Sequence, residues 1–158
     1  TAEQNLVDGP PPGGKSNDLR RSRSAAENII PTTSGAAIST TQAIPDLKGK
    51  FDGMAFRVPT RVGSLSDFTL LLGKDTSVEE INKIFTDASR HPMYKGILEV
   101  TNEQIVSSDI VGNPASCIVD LSLTKVLDGN FVKVVAWYDN EFGYSNRLVE
   151  EVILVGKK

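Results

Sequence analysis

The sequence has one cysteine, one histidine and one tryptophan in 158 residues. A single cysteine, Cys117, excludes an internal disulfide and leaves a reducing, cytoplasmic setting as the expectation. No apolar run approaches the roughly 20 residues that a membrane-spanning helix needs. The opening residues, Thr1-Ala2-Glu3-Gln4-Asn5, have neither the basic nor the apolar region of a signal peptide. They also lack an initiator Met, which fits a start inside a longer gene product. The net charge of -3 gives no whole-chain attraction to nucleic acid or lipid. No strand is followed by a glycine-rich G-x-G-x-x-G turn and a helix, so no cofactor-binding Rossmann unit is encoded here. Cysteine and histidine are too few and too scattered for a metal site.

What remains is ordinary globular composition, with 39% apolar and 23% charged residues. The length suits one domain spanning residues 1–158. Residues 8–18 contain three Pro and three Gly and read as a loop. Asp18 is a plausible N-cap, and the good helix formers from Leu19 to Asn28 predict a helix that Pro31 closes. Thr32-Thr33-Ser34-Gly35 opens a second helix reaching about Ile44, before Pro45.

Beyond Phe51 the pattern turns to strands. They are expected over residues 54–59, 64–72, 96–101, 117–123 and 131–137. Residues 131–137 are apolar at nearly every position, as in a strand covered on both faces. Asp128-Gly129-Asn130 before them is a turn signal. Between the strands, Val78, Ile81, Ile84, Phe85 and Ala88 mark an amphipathic helix ending near Arg90. Its capping box starts at Thr76 or at Ser77. Tyr144, Leu148, Val152 and Val155 share one face of a last helix. Strands outnumber βαβ units, so the expected class is α+β: a mostly antiparallel mixed sheet with helices packed on one face.

Three groups of residues bear on chemistry. Arg20, Arg21, Arg23, Arg57 and Arg61, with Ser34-Gly35 at a helix N-terminus, have the parts of a phosphate site. The same residues also suit a solvated basic face with a helix cap. The stretch from Trp137 to Tyr144 gathers four aromatic residues at a strand end, where either binding or simple aromatic packing is served. Cys117, inside a strand, reads as a small buried hydrophobe, and His91 as a helix C-terminal cap. No Cys–His pair emerges from them. Nucleic-acid binding through Lys15 and the arginines is opposed by the net charge and by the lack of interleaved aromatics.

Several segments taken together resemble the phosphorylating glyceraldehyde-3-phosphate dehydrogenase family. They are Asp18-Leu19-Arg20-Arg21, residues 25–31 (AAENIIP), Ser34-Gly35-Ala36-Ala37, residues 56–60 (FRVPT), Val106-Ser107-Ser108-Asp109 and residues 132–141 (VKVVAWYDNE). The likeness runs the length of the chain and is to the family's C-terminal catalytic domain. It implies oxidation of glyceraldehyde 3-phosphate with NAD or NADP and inorganic phosphate to 1,3-bisphosphoglycerate, by a glycolytic, cytoplasmic homotetramer. In the family a cysteine attacks the aldehyde to give a thiohemiacetal, and a histidine takes its proton as hydride leaves for the nicotinamide.

By the same resemblance, Thr1 and Arg57 hold the substrate's phosphate, and Ser34 and Gly35 the inorganic phosphate. Serine stands at position 34 where the family has threonine. Arg21 matches a phosphate-site arginine, with Arg20 as the alternative register. Asn140 bonds the nicotinamide carboxamide and Tyr144 lies beside the ring. Residues 1–23 form a loop-rich segment at a subunit interface; the stretch after Asp8-Gly9-Pro10, in the loop that approaches a neighbouring subunit's cofactor, is longer than in many relatives, so the choice between NAD and NADP is not readable. The family's Rossmann domain, catalytic cysteine and histidine all precede Thr1, and Cys117 and His91 match neither position. Alone, the chain is expected to be inactive, since losing nucleophile and base removes most of a rate enhancement on the order of 10⁶ or more. The alternative is a non-catalytic fragment that binds anions and oligomerises.

Overall fold

The computed structural model describes residues 2–4, 20, 21, 23, 24 and 26–157. The chain divides into two compact units, one ending at Arg61 and the other beginning at Val62.

The first unit is built on three short strands. β3 (Ala55–Val58) pairs in parallel with β1 (Ala2–Gln4) and antiparallel with β2 (Ile30–Thr32). Ile30, Thr32 and Ala55 are buried. None of the described residues in the stretch expected to be helical, Leu19 to Asn28, is in a helix: turns occupy 20–21 and 26–27, and Pro31 lies within β2. A ten-residue helix is marginal without tertiary support. Here local bonds compete with it, Arg23 N donating to Arg20 O at 3.3 Å and Asn28 Nδ2 to Ser24 O at 2.6 Å. An outermost strand tolerates the proline's missing N–H. The second expected helix is present as α1 (Ala36–Ala43), and Pro45 opens a 3-10 turn after it.

The second unit is a five-stranded sheet: β4 (Ser64–Leu71), β5 (Leu98–Thr101), β6 (Cys117–Asp120), β7 (Lys125–Leu127) and β8 (Phe131–Tyr138). β8 is central. It runs antiparallel to β4, β6 and β7, while β5 and β6 are parallel. The mostly antiparallel α+β expectation stands. Val132, Val134 and Ala136 face one side, where they meet Ile81 and Phe85 of α2 (Val78–Arg90) together with Val119 and Leu121. Trp137 faces the other side, where Ile118 meets Ile105, Ile110 and Ala115 of a long loop. Helix covers one face and loop the other, which is why β8 is apolar along its length.

Local signals explain the boundaries. Ser77, not Thr76, caps α2: its Oγ accepts from Glu80 N at 3.2 Å. His91 is the C-cap of that helix, as expected, and its Nδ1 accepts from Met93 N. Strand β6 stops at Asp120, three residues before its expected end, because the Asp120 carboxylate accepts from Ser122 N and turns the chain into a 3-10 helix. β7 was not expected; three residues give too little alternation to register. It joins β8 through the anticipated turn, with Asp128 at φ 49° and Gly129 at φ 76°. α3 (Phe142–Gly156) is the last helix. Among the described residues, no helix is long and apolar enough to cross a membrane.

Candidate functional site

Each unit carries part of the expected site, and the two parts are taken separately. In the first unit, Ser34 and Gly35 lead directly into α1. Gly35 is the N-cap residue, and Ser34 Oγ accepts from Ala36 N at 3.2 Å. A side chain at Gly35 would meet nothing within 4 Å, so the backbone there is open to an incoming group. Arg57 lies in the middle strand, opposite Ile30 and Glu3, and is half-buried. The ladder places Thr32 opposite Ala55. The helix-opening pair thus follows a strand that is in register with the one bearing Arg57. Arg20 and Arg23 line a cleft of about 240 Å³ with Asn28, Ile29, Ile30 and Pro31. Arg21 is half-buried in the turn beside it and is not among the lining residues. Arg61 is exposed just after β3. Thr1 lies outside the described residues.

In the second unit, the strand end singled out in the sequence forms a cleft of about 320 Å³. It is lined by Ser116, Tyr138, Asp139, Asn140, Gly143, Tyr144 and Arg147. Asn140 and Tyr144 therefore share one concavity. Tyr144 is 67% exposed, which leaves its ring available for stacking.

Asp139 organises this corner. It is buried at 3% exposure. Oδ1 accepts from the backbone N–H groups of Glu141 (3.0 Å) and Phe142 (2.8 Å), and Oδ2 from Gly112 N (2.9 Å). Burial pushes its pKa up, but the three N–H bonds together outweigh burial and hold the carboxyl below its usual range. The carboxylate thus caps the start of α3 and ties the 105–115 loop to it. Gly143 completes the joint. A Cβ there would lie 2.9 Å from the Ala115 carbonyl oxygen, so only glycine lets helix and loop approach this closely. Farther along, the Arg147 guanidinium donates to Gly96 O at 3.0 Å and to Glu150 Oε1 at 2.7 Å.

Sequence reasoning picked out Asn140 and Tyr144 but missed the groups that hold them. The bond from Ser64 Oγ to Asn140 Oδ1, 3.2 Å long, joins residues 76 positions apart. No local pattern encodes it. Glycine at position 143, two residues after the acidic turn, was the one local hint of a close approach.

Cys117 opens β6, and His91 follows α2. His91 serves the end of α2. Burial pushes the Cys117 thiol up to about 11, the reverse of what a nucleophile needs. Among the described residues no cluster of His, Cys, Asp and Glu could hold a metal ion.

Comparison with known proteins gives a consistent picture. Residues 1–140 match the family model for the glyceraldehyde 3-phosphate dehydrogenase C-terminal domain. A glyceraldehyde-3-phosphate dehydrogenase of Streptomyces coelicolor is 50% identical over 158 residues, covering all of this chain and 46% of the relative. One from Mycolicibacterium smegmatis is 54% identical over 157 residues, and one from Mycobacterium avium 55% over 157, each covering 99% of this chain and 44% of the relative. The chain spans a little under half the length of these relatives.

Proposed function

We propose, from the premise that this chain belongs to the glyceraldehyde 3-phosphate dehydrogenase family and corresponds to its C-terminal domain, that residues 1–158 act as the substrate-binding domain of a phosphorylating dehydrogenase. The reaction is oxidation of glyceraldehyde 3-phosphate to 1,3-bisphosphoglycerate with NAD or NADP and inorganic phosphate. In this reading Thr1 and Arg57 take the phosphate of the substrate, Ser34 and Gly35 take inorganic phosphate, and Arg21, or Arg20 in the alternative register, serves the phosphate sites. The family's homotetramer and its cytoplasmic, glycolytic setting belong to the same reading. So does the placing of residues 1–23, as a loop-rich segment, at a subunit interface.

The observation that carries the reading is the shared cleft of Asn140 and Tyr144 on a joint fixed by Asp139 and Gly143. A carboxamide and an exposed phenol ring suit a flat aromatic ring bearing an amide, which is the shape of a nicotinamide. That cofactor, when bound, supplies the hydride acceptor. Asn140 and Tyr144 orient the ring's amide edge and cover its face. Arg57 and the N-terminus of α1 hold phosphate oxygens by charge-assisted and backbone hydrogen bonds. None of these groups is a nucleophile. The chain's own thiol is held protonated and its imidazole caps a helix, so by itself it binds without turning substrate over.

Two measurements test this. Phosphate titration followed by NMR should show Arg57→Ala weakening binding about tenfold or more, the worth of a charge-assisted hydrogen bond, with the fold intact. Unchanged affinity removes Arg57 from the site. Joining the chain to the amino-terminal half of the Mycolicibacterium smegmatis relative should give phosphate-dependent reduction of the dinucleotide. Turnover by the unassisted 158-residue chain would refute the division of labour.

A further inference from the structure

One buried hydroxyl is unaccounted for by the cleft as described. Ser64 opens β4, is 2% exposed and lies opposite Tyr138 in the ladder with β8. Its Oγ donates to Asn140 Oδ1 at 3.2 Å. A buried hydroxyl needs a partner, and this one finds it two residues past its own rung of the ladder.

The backbone of Asn140 is already fixed from both sides. The Asp139 carboxylate accepts from the next two backbone N–H groups, and Asp139 O accepts from Gly143 N at 2.9 Å. None of these bonds sets the side chain. An exposed carboxamide is nearly symmetric in shape, and a half-turn about its last torsion exchanges acceptor for donor. To a ligand the two orientations are opposites: one offers oxygen, the other N–H. Ser64 can donate to Oδ1 or accept from Nδ2, and the structure has the first arrangement. With Oδ1 turned toward the strand, Nδ2 and its two protons are left for the cleft.

We infer that Ser64 is a positioning residue: its hydroxyl holds the Asn140 carboxamide oxygen-inward, so that the cleft presents an N–H donor to a carbonyl oxygen on its ligand. On the reading proposed above, that oxygen belongs to the carboxamide of a nicotinamide ring. The specificity this gives is for a ring carrying a carbonyl acceptor, over a bare ring of the same charge and face. The rigid anchor also reduces the entropy that ligand binding would otherwise have to remove from Asn140.

The test uses the isotopically labelled 158-residue chain and two small cations, 1-methylnicotinamide and 1-methylpyridinium. They share the charged ring and differ in the carboxamide. The expected result is a shift of the Asn140 side-chain NH2 signals with 1-methylnicotinamide and none with 1-methylpyridinium. In Ser64→Ala the affinity for 1-methylnicotinamide falls about fivefold, the worth of one hydrogen bond. Affinity for 1-methylpyridinium is unchanged, and Ser64→Thr restores the first ligand. A merely structural role for Ser64 would weaken both ligands alike, and that outcome overturns the inference. So does equal 1-methylnicotinamide affinity in wild type and Ser64→Ala while the Asn140 signals still shift; the nicotinamide reading then survives without it. No Asn140 shift in the wild type overturns both. Should the alanine variant fail to fold, Ser64→Cys, a weaker donor of similar volume, replaces it, and wild-type affinity there overturns the inference.

Discussion

Replacing Asp139 with asparagine removes one charge and rearranges one atom, and the structure sets what that costs. The carboxylate is 3% exposed and accepts three backbone N–H bonds, two on Oδ1 and one on Oδ2. Asparagine keeps a single oxygen. If that oxygen serves Glu141 and Phe142, its NH2 is forced against Gly112 N–H, donor to donor. The lost bond to a charged group is worth about 1.5–3 kcal/mol, and Gly112, an exposed residue, can turn its N–H to water. Partial relaxation of the loop offsets some of this, so the expected loss near neutral pH is about 2 kcal/mol. Urea unfolding of wild type and Asp139→Asn reads it directly. The pH dependence supplies a sharper check. The folded-state pKa of Asp139 lies below its ordinary value of 3.8. Its ionised form therefore contributes stability that is fully present above the unfolded value and is lost as pH falls through the folded one. The gap between the two proteins should be constant above about pH 5 and narrow as pH drops below about 4. A variant as stable as wild type near neutrality, or a gap that keeps its full size in acid, refutes the reasoning.

Gly143→Ala sets helix propensity against space. Alanine gains at most about 1 kcal/mol in a helix, whereas a Cβ 2.9 Å from the Ala115 carbonyl oxygen forces backbone to move, at about 1–3 kcal/mol. The variant should melt a few degrees lower, and Gly156→Ala, which meets open space, should melt at or slightly above wild type; the reverse order sinks the argument. Cys117, with its thiol pushed to about 11 by burial, should react with iodoacetamide at least about tenfold more slowly near neutral pH than a free cysteine, after allowing for the greater nucleophilicity of a more basic thiolate. Labelling as fast as glutathione would show an accessible thiolate and reopen the question of its role.

The parts of the fold that were legible in the sequence are those in which local and tertiary demands agree. α2 has its cap at Ser77, its apolar stripe and its stop before Pro92 within one continuous stretch, so nothing distant is needed to read it. β8 announced its central place because both of its faces are covered. The misreadings share a different cause. Residues 19–28 have the composition of a helix, yet the Asn28 side chain bonds Ser24 O and the chain enters a strand through Pro31. Propensity is a small term there, and the ladder with β3 decides. β7 is too short to show a period and exists because the turn at Asp128 and Gly129 folds it against β8.

The candidate site divides along the same line. Groups that touch a ligand sit in compact motifs such as residues 137–144 and stand out by type. Groups that aim them, such as Ser64 on Asn140 and Gly112 on Asp139, come from 76 and 27 positions away. They are serine and glycine, the least conspicuous residues in any sequence. A composition that fixes the kind of chemistry does not fix the direction in which an amide points. That direction belongs to the sheet register, which sets Ser64 opposite Tyr138 and so within reach of Asn140.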